Sequence, residues 1–269
     1  MPLPDDLRAL DVDLPACPRV LLDLLVLIED EEASVDTMAE LIESDMALAS
    51  AVVRTVNSAM FGLLRRVETV GEAVRYLGTT EVAALTFSTA LRAAFTPTPQ
   101  IERLWHQSAR CGLLMGRSAP SLGLDVWRAH TAGMFARSGQ AVLLARAQGV
   151  YQGLLERHGD DLPALLAAER EAFGVTHAAY GSALCASWGL AGDVVRYVQA
   201  RVEPQPQWQP LAAPLRDLLV LGSLVDELVA GENVAVAAQR LASNSARSAD
   251  ELLEAVDGPW RQLARAEAP

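Results

Sequence analysis

Four histidines, three cysteines and several clustered carboxylates are the residues of this chain with the right types for chemistry. Their spacing limits what that chemistry can be. His106, His130, His158 and His177 include no pair at the i, i+4 separation that sets two imidazoles on one helix face, and no HExxH occurs. Cys17, Cys111 and Cys185 are odd in number and far apart. That pattern fits buried thiols in a reducing cytoplasm rather than a disulfide framework or a zinc motif. No GxSxG elbow presents a serine nucleophile, and no P-loop or GxGxxG cradles a phosphate. The acidic run from Glu29 to Glu32 and the Asp160-Asp161 pair fall at expected helix ends, where carboxylates cap and solvate. Long-range convergence of histidines and acids is the one metal site that local spacing leaves open.

The elements that would position such residues are helical. The chain of 269 residues is 51% hydrophobic and 5% aromatic, rich in Ala, Leu and Val, with no lysine. Apolar residues recur at helical spacing in nearly every segment, and no strand-type alternation persists. The expected fold class is all-α. Ser34, Asp45 and Thr69 are expected N-caps, and Thr69/Glu72 and Ser248/Glu251 have capping-box spacing. Asp125 is expected to cap one helix running through Ala145. Asp45 opens a helix expected to reach about Met60, and Gly258-Pro259 is expected to kink or split the last helix. Phe95-Thr-Pro-Thr-Pro99 is a stiff joint, so we place a boundary there, giving helical subdomains at 1–96 and 97–269.

The charge of −12 is uneven. Residues 1–50 hold 13 acids against two arginines, a net of −11, and the rest is close to neutral. Such an acidic N-terminal region repels phosphate backbones, which argues against nonspecific nucleic-acid binding and leaves a solvated face or a docking surface for a basic partner. No leader-like segment or membrane-length apolar run is visible, so the expectation is a cytoplasmic protein without membrane contact.

One series of phrases is distinctive. Ala39 to Leu48 reads AELIESDMAL, Val56 to Gly62 reads VNSAMFG, and Val70 to Gly78 reads VGEAVRYLG. In this order they resemble the HDOD family, the HD-related output domain of bacterial signalling proteins, across nearly the whole chain. The resemblance implies an HD-domain-like helical bundle in two packed subdomains. It also implies where an HD enzyme would keep its metal ligands. Trp105-His106-Gln107-Ser108 is similar to a Trp-x-His-Ser pattern, with Gln107 at the histidine place and His106 one residue, about 100° of helix, early. Ala132 to Gly139, AGMFARSG, is similar to a stretch that carries His-Asp, with Ala136-Arg137 in that place. The Leu218–Asp226 segment resembles the helix of the last aspartate, with Gly222-Ser223 at its position. Phe173 to Leu190 retains a family histidine as His177, and a later His-His is Ala200-Arg201 here.

Gln107, Ala136, Arg137 and Ser223 are poor metal ligands. The resemblance therefore implies a pseudoenzyme with no catalytic residue, no metal and no cofactor. Arg137 is free to pair with an acid or to hold a phosphate or carboxylate. Asn57, Arg65, Arg66, Arg137, His177 and Trp208 are candidate ligand or partner contacts. For Asn57 and His177 the plainer reading is structural, and Trp105 and Trp188 are expected core anchors. Because the family-like core begins near residue 14 and little follows it, the expected mode is signalling in trans, through a protein partner or a small ligand. Two alternatives remain: a divergent metal-dependent phosphohydrolase using His177, His130 and unassigned acids, and a nucleotide-binding regulator with phosphates on Arg65, Arg66 or Arg137.

Overall fold

Side-chain caps start the helices where the sequence supplies them. In the computed structural model, which describes residues 14–28, 30, 34–61, 63, 65–159 and 161–267, Ser34 accepts from the Thr37 N–H and opens α2 (Val35–Glu43). Asp45 accepts from Ala47 and Leu48 and opens α3 (Met46–Val56). Thr69 opens α4 (Val70–Leu77), and Glu72 reaches back to the Glu68 N–H. These helices, with α1 (Arg19–Ile28) and α5 (Thr79–Ala93), belong to a unit that takes in the described residues of 16–94 and 256–267. Gly78 joins α4 to α5 at φ +88°, a conformation that costs glycine little and other residues much. Its core holds Leu21, Leu24, Ile42, Val52, Val74 and Leu91, all essentially inaccessible.

Asn57 explains why α3 ends before Met60. Its amide donates to the Val53 and Val67 carbonyls and its Oδ1 accepts from the Val67 N–H, so the side chain pins the chain ten residues on. Ala59–Phe61 then form a separate 3-10 turn. Every polar atom of the Asn57 side chain is engaged with backbone, and its place as a ligand contact is withdrawn on that ground. Arg65 and Arg66 lie in the same unit with exposed side chains. Of the carboxylate runs, Glu29, Glu31, Glu32 and Asp160 lie outside the described residues, as do Gly62 and residues 1–13.

The second unit spans residues 95–255 together with 14–15. Thr98 caps α6 (Pro99–Ser118), with Pro99 at the first helical position, where its missing N–H costs nothing. After a 3-10 turn (Ala119–Leu122), Asp125 caps α7 (Val126–Phe135). The helix expected to continue through Ala145 breaks instead. Arg137 leaves the helical region at φ −109°, ψ 8°, and α8 (Ser138–Arg146) starts anew. The chain continues through α9 (Gln148–His158), α10 (Leu162–Phe173), α11 (His177–Ser187) and α12 (Gly192–Ala200). A 3-10 turn (Gln205–Trp208) leads to α13 (Ala213–Ala230), α14 (Val234–Ala242) and α15 (Ala249–Glu267). Ser248 and Glu251 form the reciprocal capping box at the start of α15. That helix continues past Pro259, so of the expected kink or split the split does not occur. Among the described residues there is no strand, and no helix is long and apolar enough to cross a membrane.

Two tryptophans anchor this unit. Trp188 donates from its indole to the Pro15 carbonyl and meets Phe135 edge-on at 5.9 Å, and Trp105 packs on Phe95 at 5.3 Å. Trp208 joins them. The polar, proline-rich sequence around it suggested a surface contact, but its ring is buried and its indole donates to the Ala200 carbonyl. The loop folds back because a buried tryptophan gains apolar contact and keeps a partner for its N–H.

Candidate functional site

The break at Ala136-Arg137 sets an arginine beside three other helices. Arg137 donates to Asp226 Oδ1 on α13 at 2.7 Å and to the Cys111 sulfur on α6 at 3.4 Å. Arg201, the C-cap of α12, donates to Asp226 Oδ2 at 2.6 Å and to the Ala136 carbonyl at 3.3 Å. One carboxylate is thus held end-on by two guanidiniums, and the second guanidinium also fastens the α7–α8 break. The Cys111 thiol donates to Asp226 Oδ1 at 3.5 Å. These groups are half-buried, with 16–17% of each arginine side chain and 27% of the aspartate exposed.

The electrostatics follow from that arrangement. Burial alone would raise the Asp226 carboxyl, but the charges of Arg137 and Arg201 outweigh it and hold the group well below the usual carboxylate range. Burial, then the Asp226 charge, pushes the Cys111 thiol up to about 11, so it stays protonated and is a poor nucleophile. Burial disfavours the Arg137 cation, yet Asp226 more than restores it and the group stays charged.

Of the four residues expected at metal-ligand places, the structure draws Ala136 and Arg137 into this network. Gln107 lies exposed on α6, one turn before Cys111, and Ser223 lies half-buried on α13, one turn before Asp226. Gly222, beside it, leaves room for Tyr197: a Cβ there would lie 2.0 Å from the Tyr197 hydroxyl oxygen. Asp226 was named only as the end of its helix, and its role was missed. Part of a signal was present, since the adjacent acids Asp226 and Glu227 interrupt the run that begins at Leu218. Two arginines and one aspartate with a protonated thiol do not suit a divalent cation. Among the described residues no group of three His, Cys, Asp or Glu side chains is placed to hold a metal.

A second polar cluster lies fully buried. Glu169 on α10 accepts from the His177 N–H at 2.8 Å, from His177 Nδ1 at 2.9 Å and from the Tyr151 hydroxyl at 2.7 Å. Thr176, at the N-cap of α11, makes no side-chain cap bond, so Glu169 caps that helix from another element. Burial opposes its ionisation, but the His177 bonds and then the Tyr151 bond bring it below the ordinary value. Burial and the Glu169 charge drive the Tyr151 phenol upward. His177, a candidate contact, is 2% exposed and committed to this cap, and we withdraw it as a surface contact. Neither Tyr151 nor Glu169 was foreseen; the hint is that Glu169, one of two acids in LPALLAAEREAF, has Leu165, Leu166, Ala172 and Phe173 one turn away.

His130 occupies a third place. It is buried, and Gly116 makes its room: a Cβ there would stand 3.1 Å from the His130 Cβ. Its Nε2 has no hydrogen-bond partner among the described residues. Burial, aided by the Arg117 charge, pushes the imidazole down to about 4. It therefore stays neutral in the fold where the unfolded chain protonates near 6.5. Stability from this group is complete above about pH 6.5 and is lost as pH falls toward 4. Between pH 7 and 5 the loss should be roughly 2 kcal/mol. Urea denaturation at the two pH values checks this: His130→Gln should remove that share of the slope, and an unchanged slope would refute it.

The comparisons agree with this architecture. The HDOD domain profile matches residues 14–204. An uncharacterized protein of Treponema pallidum (strain Nichols) is 26% identical over 190 residues, 70% of this chain, and the match spans only 37% of that protein's length. A crystal structure of a candidate phosphohydrolase from Shewanella amazonensis SB2B superposes with TM-score 0.72 at 20% identity, covering 95% of this chain and 96% of its own. An HDOD domain protein of unknown function from Geobacter sulfurreducens gives 0.69 at 20% identity, covering 95% and 93%. A candidate signal transduction protein from Marinobacter aquaeolei VT8 gives 0.65 at 19% identity, covering 95% of this chain and 60% of its own. At such identities the structures establish the shared fold, an all-α HD-like bundle. With its characteristic phrases and its matched profile covering most of the chain, the protein belongs to the HDOD family.

Proposed function

We propose that this chain is a non-catalytic HDOD signalling module that acts in trans, through a protein partner or a small ligand. The observation that supports it most is the Arg137–Asp226–Arg201 network at the place where the family resemblance puts a His-Asp metal pair. HD chemistry uses a metal to activate water and polarise a phosphoryl oxygen. Here a guanidinium stands at that place and pairs with the nearest acid of α13, so an entering cation would meet two positive charges. The signal-transduction description of the Marinobacter neighbour is consistent with a signalling role, as is the family itself.

The rival is a divergent metal phosphohydrolase built on His177 and His130. His177 is spent on capping α11, and His130 sits against Gly112 and Gly116 of α6 without an acid partner. Metal analysis of the purified protein, with a phosphodiesterase assay, separates the two. We expect substoichiometric metal and no turnover. Stoichiometric Mn, Fe, Ni or Zn accompanied by turnover would overturn the proposal. A pull-down from source cells that recovers no specific partner, with no small ligand bound, would leave the module without a mode of action and count against it equally.

A further inference from the structure

The Arg137–Asp226–Arg201 network is unbalanced in two respects. It holds two cations and one anion, since the Cys111 thiol is protonated. It also holds more donors than acceptors. Two guanidiniums carry five N–H groups each, against one carboxylate, one thiol sulfur and the Ala136 carbonyl. The Arg201 Nε–H has no partner among the described residues. A net positive charge at a half-buried place is costly unless an anion answers it. Each arginine still reaches solvent over about a sixth of its side chain. A small anion needs only such partial access to the guanidinium edges, whereas a macromolecular surface needs a broad exposed face.

We infer that Arg137 and Arg201 form the seat of a small phosphate ligand, inorganic phosphate or a phosphomonoester, which competes with Asp226 for the two guanidiniums. Planar guanidiniums match phosphate oxygens bidentately, and a phosphate brings the second negative charge that Asp226 does not supply. Asp226 acts as the internal competitor: it holds the arginines in place and neutralises one of them when the seat is empty. The elements tied by the network respond directly, because Arg201 also holds the Ala136 carbonyl at the α7–α8 break. This inference rests on the non-catalytic reading of the site.

Calorimetric titration of the full chain in phosphate-free, low-salt buffer tests it, with inorganic phosphate and a nucleoside monophosphate as probes. The wild type should bind, and Asp226→Asn should bind at least about tenfold more tightly because the competitor's charge is gone. Arg137→Gln and Arg201→Gln should each weaken binding by about tenfold or more. A merely structural network would give no gain in Asp226→Asn. A monophosphate that binds more tightly than phosphate points to a nucleotide, and equal binding points to the phosphate group alone; both support the seat. Should Asp226→Asn not fold, Arg137→Gln against the wild type decides. No binding by the wild type at millimolar probe, equal affinity in a folded Asp226→Asn, or undiminished affinity in Arg137→Gln would overturn the inference. A metal-free, turnover-free protein that ignores phosphate removes the seat and leaves the scaffold reading standing, whereas stoichiometric metal with turnover removes that reading itself.

Discussion

Gly139→Ala should destabilise the larger unit by about 3 kcal/mol or more, lowering its melting temperature on the order of 10 °C. The cause is a backbone crossing. A Cβ on Gly139 of α8 would lie 1.7 Å from the His177 carbonyl oxygen and 2.7 Å from the Gly181 nitrogen of α11. Neither is the tip of a movable side chain, so the helices must part. Parting them pulls on the first turn of α11, where Glu169 caps His177, and on the α7–α8 break that carries Arg137. Gly153 in α9 is the control. Nothing lies within 4 Å of its added Cβ, so Gly153→Ala should be neutral or stabilise by up to about 1 kcal/mol. Equal melting temperatures for the two variants would show that α8 and α11 are not in this contact.

Glu169→Ala should cost about 3–5 kcal/mol, measured by urea denaturation. The residue is wholly inaccessible, and its loss strands three donors: the His177 N–H, His177 Nδ1 and the Tyr151 hydroxyl. Glu169→Gln keeps one acceptor oxygen and should recover part of the loss, and Tyr151→Phe should cost only about 1 kcal/mol. The pH dependence has a definite sign. The folded carboxyl titrates below its unfolded value near 4.3. Its contribution is therefore present above that value and lost as pH falls below it. Asp226, held lower still by its arginines, acts in the same direction. A loss under about 1 kcal/mol in Glu169→Ala would mean that the carboxylate is not the cap.

Both effects arise at contacts that are distant in sequence, and this marks how far the chain could be read directly. Helix starts were legible because a cap involves residues two or three apart: Ser34 with Thr37, Asp45 with Ala47 and Leu48, Ser248 with Glu251. The family was legible because long phrases such as LIESDMAL and VNSAMFG keep their order. The all-α class followed from the 3.6-residue period of apolar positions. That the stretch AGMFARSG carries Ala136-Arg137 and no His-Asp was readable as well, since it is a matter of residue type.

Which residues meet across the fold was not readable. Arg137 meets Asp226 across 89 residues, and Glu169 reaches Tyr151 and caps His177 from separate helices. Trp208 is buried despite its polar, proline-rich neighbours, because Ala200 offers its carbonyl to the indole. The break between α7 and α8 escaped notice because Ala, Arg and Ser all tolerate helix, so propensity placed no stop there. By itself the sequence determined helices, caps, family and the absence of a His-Asp pair, all of which depend on local spacing or residue type. Tertiary structure alone decided which charges meet and which side chains are enclosed, because a salt bridge or a backbone crossing between helices depends on packing geometry that no short-range pattern encodes.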